Sequence, residues 1–131
     1  MQLLAPISVG ELIDKITILK IKQKKASDSQ KLSNISRELE ELETTWEKKK
    51  TPGLDISDLF DQLTKVNEAL WNIEDDIRAK EAADAFDQEF IELARSVYKQ
   101  NDHRAALKKE INILSGSTSV SYTHLTLPTI Q

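Results

Sequence analysis

The sequence contains no cysteine, which excludes a disulfide framework, a thiol nucleophile and every cysteine-based zinc or iron–sulfur site. Glycine and proline are scarce, at three residues each. A strand-rich fold needs such residues at its many turns, so their rarity argues against an all-β chain and for helices. Aromatic residues make up only 5% of the chain, and no basic patch interleaved with them offers a platform for single-stranded nucleic acid. Positive charge is not in excess either: the formal charge of -4 leaves no diffuse field to draw the protein to nucleic acid or anionic lipid. No stretch approaches the roughly eighteen apolar residues of a membrane helix, and residues 1–10 lack the basic start and apolar run of a signal peptide. The expectation is a cytoplasmic protein with no membrane insertion.

Ligand motifs are missing in the same way. No two histidines stand at metal-ligand spacing, and no His-Glu-x-x-His, calcium loop or glycine-rich phosphate loop occurs. No metal and no cofactor is therefore expected. His103, beside Asp102, is better read as a capping or solvent-facing residue than as a catalytic one, since no serine or cysteine motif stands ready for activation.

What is present is helical periodicity. Ser8-Val9-Gly10-Glu11 matches a capping box. After it Val9, Leu12, Ile13, Ile16 and Leu19 recur at helical spacing, with Ile18 and Ile21 widening the apolar face enough to touch more than one neighbour. Residues 26–30 are polar and mark a turn or kink. Leu32, Ile35, Leu39, Leu42 and Trp46 then form a heptad seam, which Thr51-Pro52-Gly53 ends. A third helix from about Ser57 repeats the seam in Leu59, Leu63, Val66, Leu70, Ile73 and Ile77. Two such seams across a short turn predict that the second and third helices form an antiparallel hairpin. Phe86, Phe90, Leu93, Ala94 and Val97 give a fourth helix, and Ala106, Leu107, Ile111 and Leu114 a fifth, capped by Asn101 or Asp102 and stopped by Gly116. The expected fold is an all-α antiparallel bundle of four to five helices over residues 1–116. Residues 117–131 break the pattern: uncharged and rich in serine and threonine, they read as a non-helical tail of foreign, adapter-like sequence in place of the native C-terminus.

Beside the third seam runs a second, polar stripe of Asn67, Trp71, Glu74, Arg78 and Glu81 on one helix face. Its bland reading is a solvated or half-buried face laced by ion pairs, with Trp71 covering the edge of the core. Its sharper reading is half of a binding cleft, completed by Asp87, Arg95, Tyr98, Asp102 and Arg104, in which arginines hold an anionic ligand by bidentate hydrogen bonds. Asp14 is ambiguous between a first-turn acid favoured by the helix dipole and a carboxylate aimed at a partner.

Ser8-Val9-Gly10-Glu11-Leu12-Ile13-Asp14-Lys15, with Leu70-Trp71-Asn72-Ile73-Glu74, Leu93-Ala94-Arg95-Ser96-Val97-Tyr98 and Asn101-Asp102-His103-Arg104-Ala105, resembles a small bacterial family classed as a domain of unknown function. The likeness spans residues 1 to about 116. Members of that family tend to be encoded near glycosyltransferases of lipopolysaccharide and other surface glycans, so the resemblance implies a helper in surface-glycan biosynthesis. Two functions compete. One is a non-enzymatic interaction or accessory module that self-associates or docks on a protein partner through helical faces. The other is a small helical enzyme or ligand-binding domain that recognises an anionic metabolite through the Arg/Glu/Tyr cluster.

Overall fold

The computed structural model describes residues 3–116, so the expected foreign tail lies outside the described residues. Four helices follow one another: α1 (Val9–Lys25), α2 (Ser29–Lys49), α3 (Ser57–Ala82) and α4 (Gln88–Ser115). Local chemistry sets their ends. Ser8 caps α1 by accepting from the Glu11 amide at 3.2 Å, Asp28 caps α2 through the Gln30 amide, and Asp87 caps α4 through the Phe90 amide. Asp55 accepts from both the amide and the hydroxyl of Ser57 before α3, and those bonds hold its carboxyl below the usual carboxylate range. Gly116 caps α4 at a positive φ of 70°, and Gly53, at 84°, turns the chain between α2 and α3 after an extended Lys50 has ended α2.

The core joins Leu12, Ile13, Ile16 and Leu19 of α1 to Leu39 of α2, to Leu59, Leu63, Val66 and Leu70 of α3, and to Leu107 and Ile111 of α4. At the centre of this arrangement, α1 packs against all three of the other helices, as its broad apolar face requires. The expected hairpin of α2 with α3 does not form: no Cα of α2 comes within 8 Å of a Cα of α3. The α2 helix packs on α1 alone, while α3 packs on both α1 and α4. A three-residue connection makes α1 and α2 the first hairpin, tied by Gln23 Nε2 donating to Ser36 Oγ at 3.1 Å and by Lys20 near Glu43. The second hairpin is α3 with α4.

A second correction concerns α4. The fourth and fifth helices are one helix of 28 residues, and Asn101 and Asp102 lie inside it. Asn and Asp are tolerated in a helix interior when their side chains find partners away from the local backbone. Asn101 does so: it is buried and accepts from Arg104 Nη1 at 3.3 Å.

Because α1 is much shorter than α3 and α4, the second hairpin outruns it. Buried residues in α3 stop at Glu74 and those in α4 begin at Asn101, and none of residues 75–100 is buried. At 1.5 Å per residue the two helices continue for about 12 to 20 Å as a two-helix arm. Lys80 Nζ fastens its tip to Asp87 at 3.1 Å and Glu89 at 2.9 Å. Those two carboxylates raise the Lys80 pKa, while the Phe90 amide and Lys80 lower that of Asp87.

Candidate functional site

Two features could carry function, a polar cluster under α1 and the surface of the arm. Where α1 crosses α3 and α4, Asp14 is only 2% exposed and Arg104 4%. Arg104 grips the carboxylate with Nε at 3.0 Å from Oδ1 and Nη2 at 2.6 Å from Oδ2. Asn67 Nδ2 donates to Asp14 Oδ1 at 3.0 Å and to Thr17 Oγ1 at 2.7 Å, and the Thr17 hydroxyl donates to the Asp14 carbonyl. Lys108 Nζ pairs with Glu11 and stands 3.5 Å from Asp14 Oδ2.

Burial pushes the Asp14 carboxyl up. The Arg104 hydrogen bonds, the charges of Arg104 and Lys108 and the Asn67 amide outweigh it, so Asp14 titrates below the usual carboxylate range. A carboxylate so fully engaged and held ionised is a weak proton acceptor, and this pairing joins three helices rather than preparing a general base.

The same joint explains Gly10. A Cβ there would overlap the Lys108 carbonyl oxygen, so only glycine lets the start of α1 lie against the α4 backbone. Gly10 N–H donates to Asn112 Oδ1 at 2.7 Å, which satisfies one of the amides that a helix start leaves unpaired.

The arm presents a different chemistry. Its inner seam, Phe90, Leu93 and Val97 of α4 with Ile73 and Ile77 of α3, is half-buried. A second stripe runs along α4: Asn112 and Lys108 bond to α1, Ala105 and Asn101 are buried in line with them, and the same spacing of three and four continues into Tyr98, Ala94 and Ile91, which are exposed. There Tyr98 is 70% exposed and Ile91 43%. Phe86, 60% exposed at the tip, stands edge-on to Phe90 with centroids 5.2 Å apart.

A model of the family of unknown function DUF6165 matches residues 3–127. The chain belongs to that family. No curated protein and no solved structure gives a significant match. Within this DUF6165 chain the residues expected to form a cleft divide into two groups. Asn67 and Arg104 enter the buried cluster, and Glu74 is buried at the foot of the arm. Trp71 is half-buried against the edge of the core, as its bland reading has it. Arg78, Glu81, Arg95, Tyr98 and Asp102 are exposed, Arg78 lying 3.8 Å from Asp75. Arg104 is spent on Asp14, so an anion clamp of Arg78, Arg95 and Arg104 lacks its third member.

The residues that the sequence reading missed as a site in DUF6165 are Glu11, Thr17, Asn101, Lys108 and Asn112. The sequence signal for the cluster is at Arg104: Val97, Arg104 and Ile111 are seven residues apart, so a cation sits in line with two seam residues and requires a buried counter-charge, without saying which residues supply it. Among the described residues no helix is long and apolar enough to cross a membrane.

Proposed function

We propose that the protein is a non-enzymatic helical interaction module whose docking face is the outer stripe of α4, Ile91, Ala94 and Tyr98. One observation carries this reading: the stripe prolongs the face on which α1 packs, and among the described residues nothing covers it. The inner seam already joins α4 to α3. An apolar stripe on the other side of an arm adds little to the stability of its own chain and is the kind of surface that partners use. Service in bacterial surface-glycan assembly, which the resemblance of the opening motif implies, would on this reading consist of holding proteins together.

Ile91→Ser combined with Tyr98→Ser tests the face. Parent and double variant, each shown to be helical by circular dichroism, are immobilised and challenged with lysate of the source organism. A protein retained by the parent and lost by the variant is the expected result. Equal retention by both, or none by either from a parent that is also monomeric, overturns the reading.

A further inference from the structure

We propose that the partner on this face is a second copy of the same chain, its arm lying antiparallel to the first, an inference that rests on the reading of Ile91, Ala94 and Tyr98 as a docking face. The open position has the shape of a helix. It continues the course of α1 along α4, so an occupant needs a straight apolar stripe of about two turns. The outer stripe of α4 is itself such a stripe. A two-fold axis near Ala94 sets Ile91 of one copy opposite Tyr98 of the other and closes after two subunits, because each face is used once.

Charge fixes the direction. The arm tip, residues 80–92, carries five acids and a single cation, Lys80, whose pairing with Asp87 and Glu89 still leaves the tip negative through Glu81, Asp84 and Glu92. Around the end of α1, residues 15–31 carry six lysines and a single acid, Asp28. Lys24 and Lys25 line a groove with Trp71, Asn72 and one acid, Glu68, at the foot of the arm. Antiparallel arms bring the acidic tip of each copy to the basic foot of the other. Parallel arms would set acid against acid, which costs specificity and affinity alike.

Sedimentation equilibrium of the intact protein tests this, and the absence of native cysteine makes single-cysteine crosslinking clean. The parent is expected to be a dimer with a dissociation constant on the order of 10 μM, as a small interface implies. Ile91→Ser with Tyr98→Ser should weaken it about tenfold or more, as loss of two central apolar anchors does. Lys24→Glu with Lys25→Glu should weaken it about threefold, and adding Asp84→Lys and Glu92→Lys should restore it, because the complementary pairs are then reversed together. Under mild oxidation Ala94→Cys should give a disulfide-linked dimer, whereas Ala106→Cys, exposed on α4 away from the arm, should not. A parent that is monomeric at about 200 μM, ten or more times the expected constant, overturns the proposal, as does crosslinking through Ala106→Cys alone or charge reversal without effect. A monomeric parent that still captures another protein through Ile91 and Tyr98 overturns only the second copy, and the docking face stands. Loss of both overturns both.

Discussion

Replacing Arg104 with methionine removes the cation that faces Asp14 while keeping most of the side-chain volume. Breaking a buried pair from one side costs about 3–5 kcal/mol, because the remaining charge stays in the interior. Here Lys108 at 3.5 Å and the Asn67 amide still face Asp14, which places the loss at the lower end, about 3 kcal/mol. For a chain of this length that corresponds to a fall in melting temperature of about 10 °C. Total stability of about 5–15 kcal/mol leaves the variant folded. The pH dependence follows from the depressed pKa of Asp14. A carboxylate whose folded value lies below its unfolded one stabilises the fold above the ordinary carboxylate range and loses that contribution as pH falls through the folded value. In the variant, burial is no longer outweighed and Asp14 protonates more readily, so the deficit is largest near neutral pH and shrinks towards about pH 4. Urea unfolding followed by circular dichroism at several pH values reads both quantities. Asp14→Leu together with Arg104→Met should cost less than the sum of the single changes, since neither charge is then left alone. A loss under about 1 kcal/mol, or a deficit that grows on acidification, would refute the reasoning.

Three further outcomes follow from the same structure. Gly10→Ala should destabilise by about 1–3 kcal/mol, because its methyl meets the Lys108 carbonyl and pushes α1 away from α4; a melting temperature equal to the parent's would contradict this. Asn112→Leu leaves the Gly10 amide without its acceptor and should cost about 1–3 kcal/mol, measurable by the same unfolding curve and absent if that bond is incidental. Asp87→Ala removes the cap of α4 and a partner of Lys80, costing about 1 kcal/mol. Hydrogen exchange should quicken at residues 80–92 and stay unchanged at 104–112, whereas uniform quickening would show that the tip is not a local unit.

Much of this architecture is written in local patterns. The cap at Ser8, the break at Thr51-Pro52-Gly53, the start of α3 at Ser57 and the stop at Gly116 each depend on a few adjacent residues. Which seam meets which helix is not local. The seams of α2 and α3 have the same spacing and carry no address, and the width of the α1 face was the feature that demanded two neighbours at once. Asn101 and Asp102 show a different ambiguity, since residues that cap helices also serve as buried acceptors within them. The lack of glycine and proline between residues 88 and 115 is the feature consistent with one helix. Asp14 and Arg104 are separated by 90 positions, so no spacing could pair them. A charged residue in line with Val97 and Ile111 indicated only that some counter-charge had to exist.

That the outer stripe of the arm serves a partner, while the inner one serves the fold, is tested most directly by comparing two double variants in urea. Leu93→Ser with Val97→Ser, on the inner seam, should cost at least about 2 kcal/mol through lost burial and buried hydroxyls. Ile91→Ser with Tyr98→Ser should leave the free energy of unfolding within about 1 kcal/mol of the parent at concentrations too low for association. Equal losses from the two pairs would show that Ile91 and Tyr98 belong to the chain's own core, and the docking face would be contradicted.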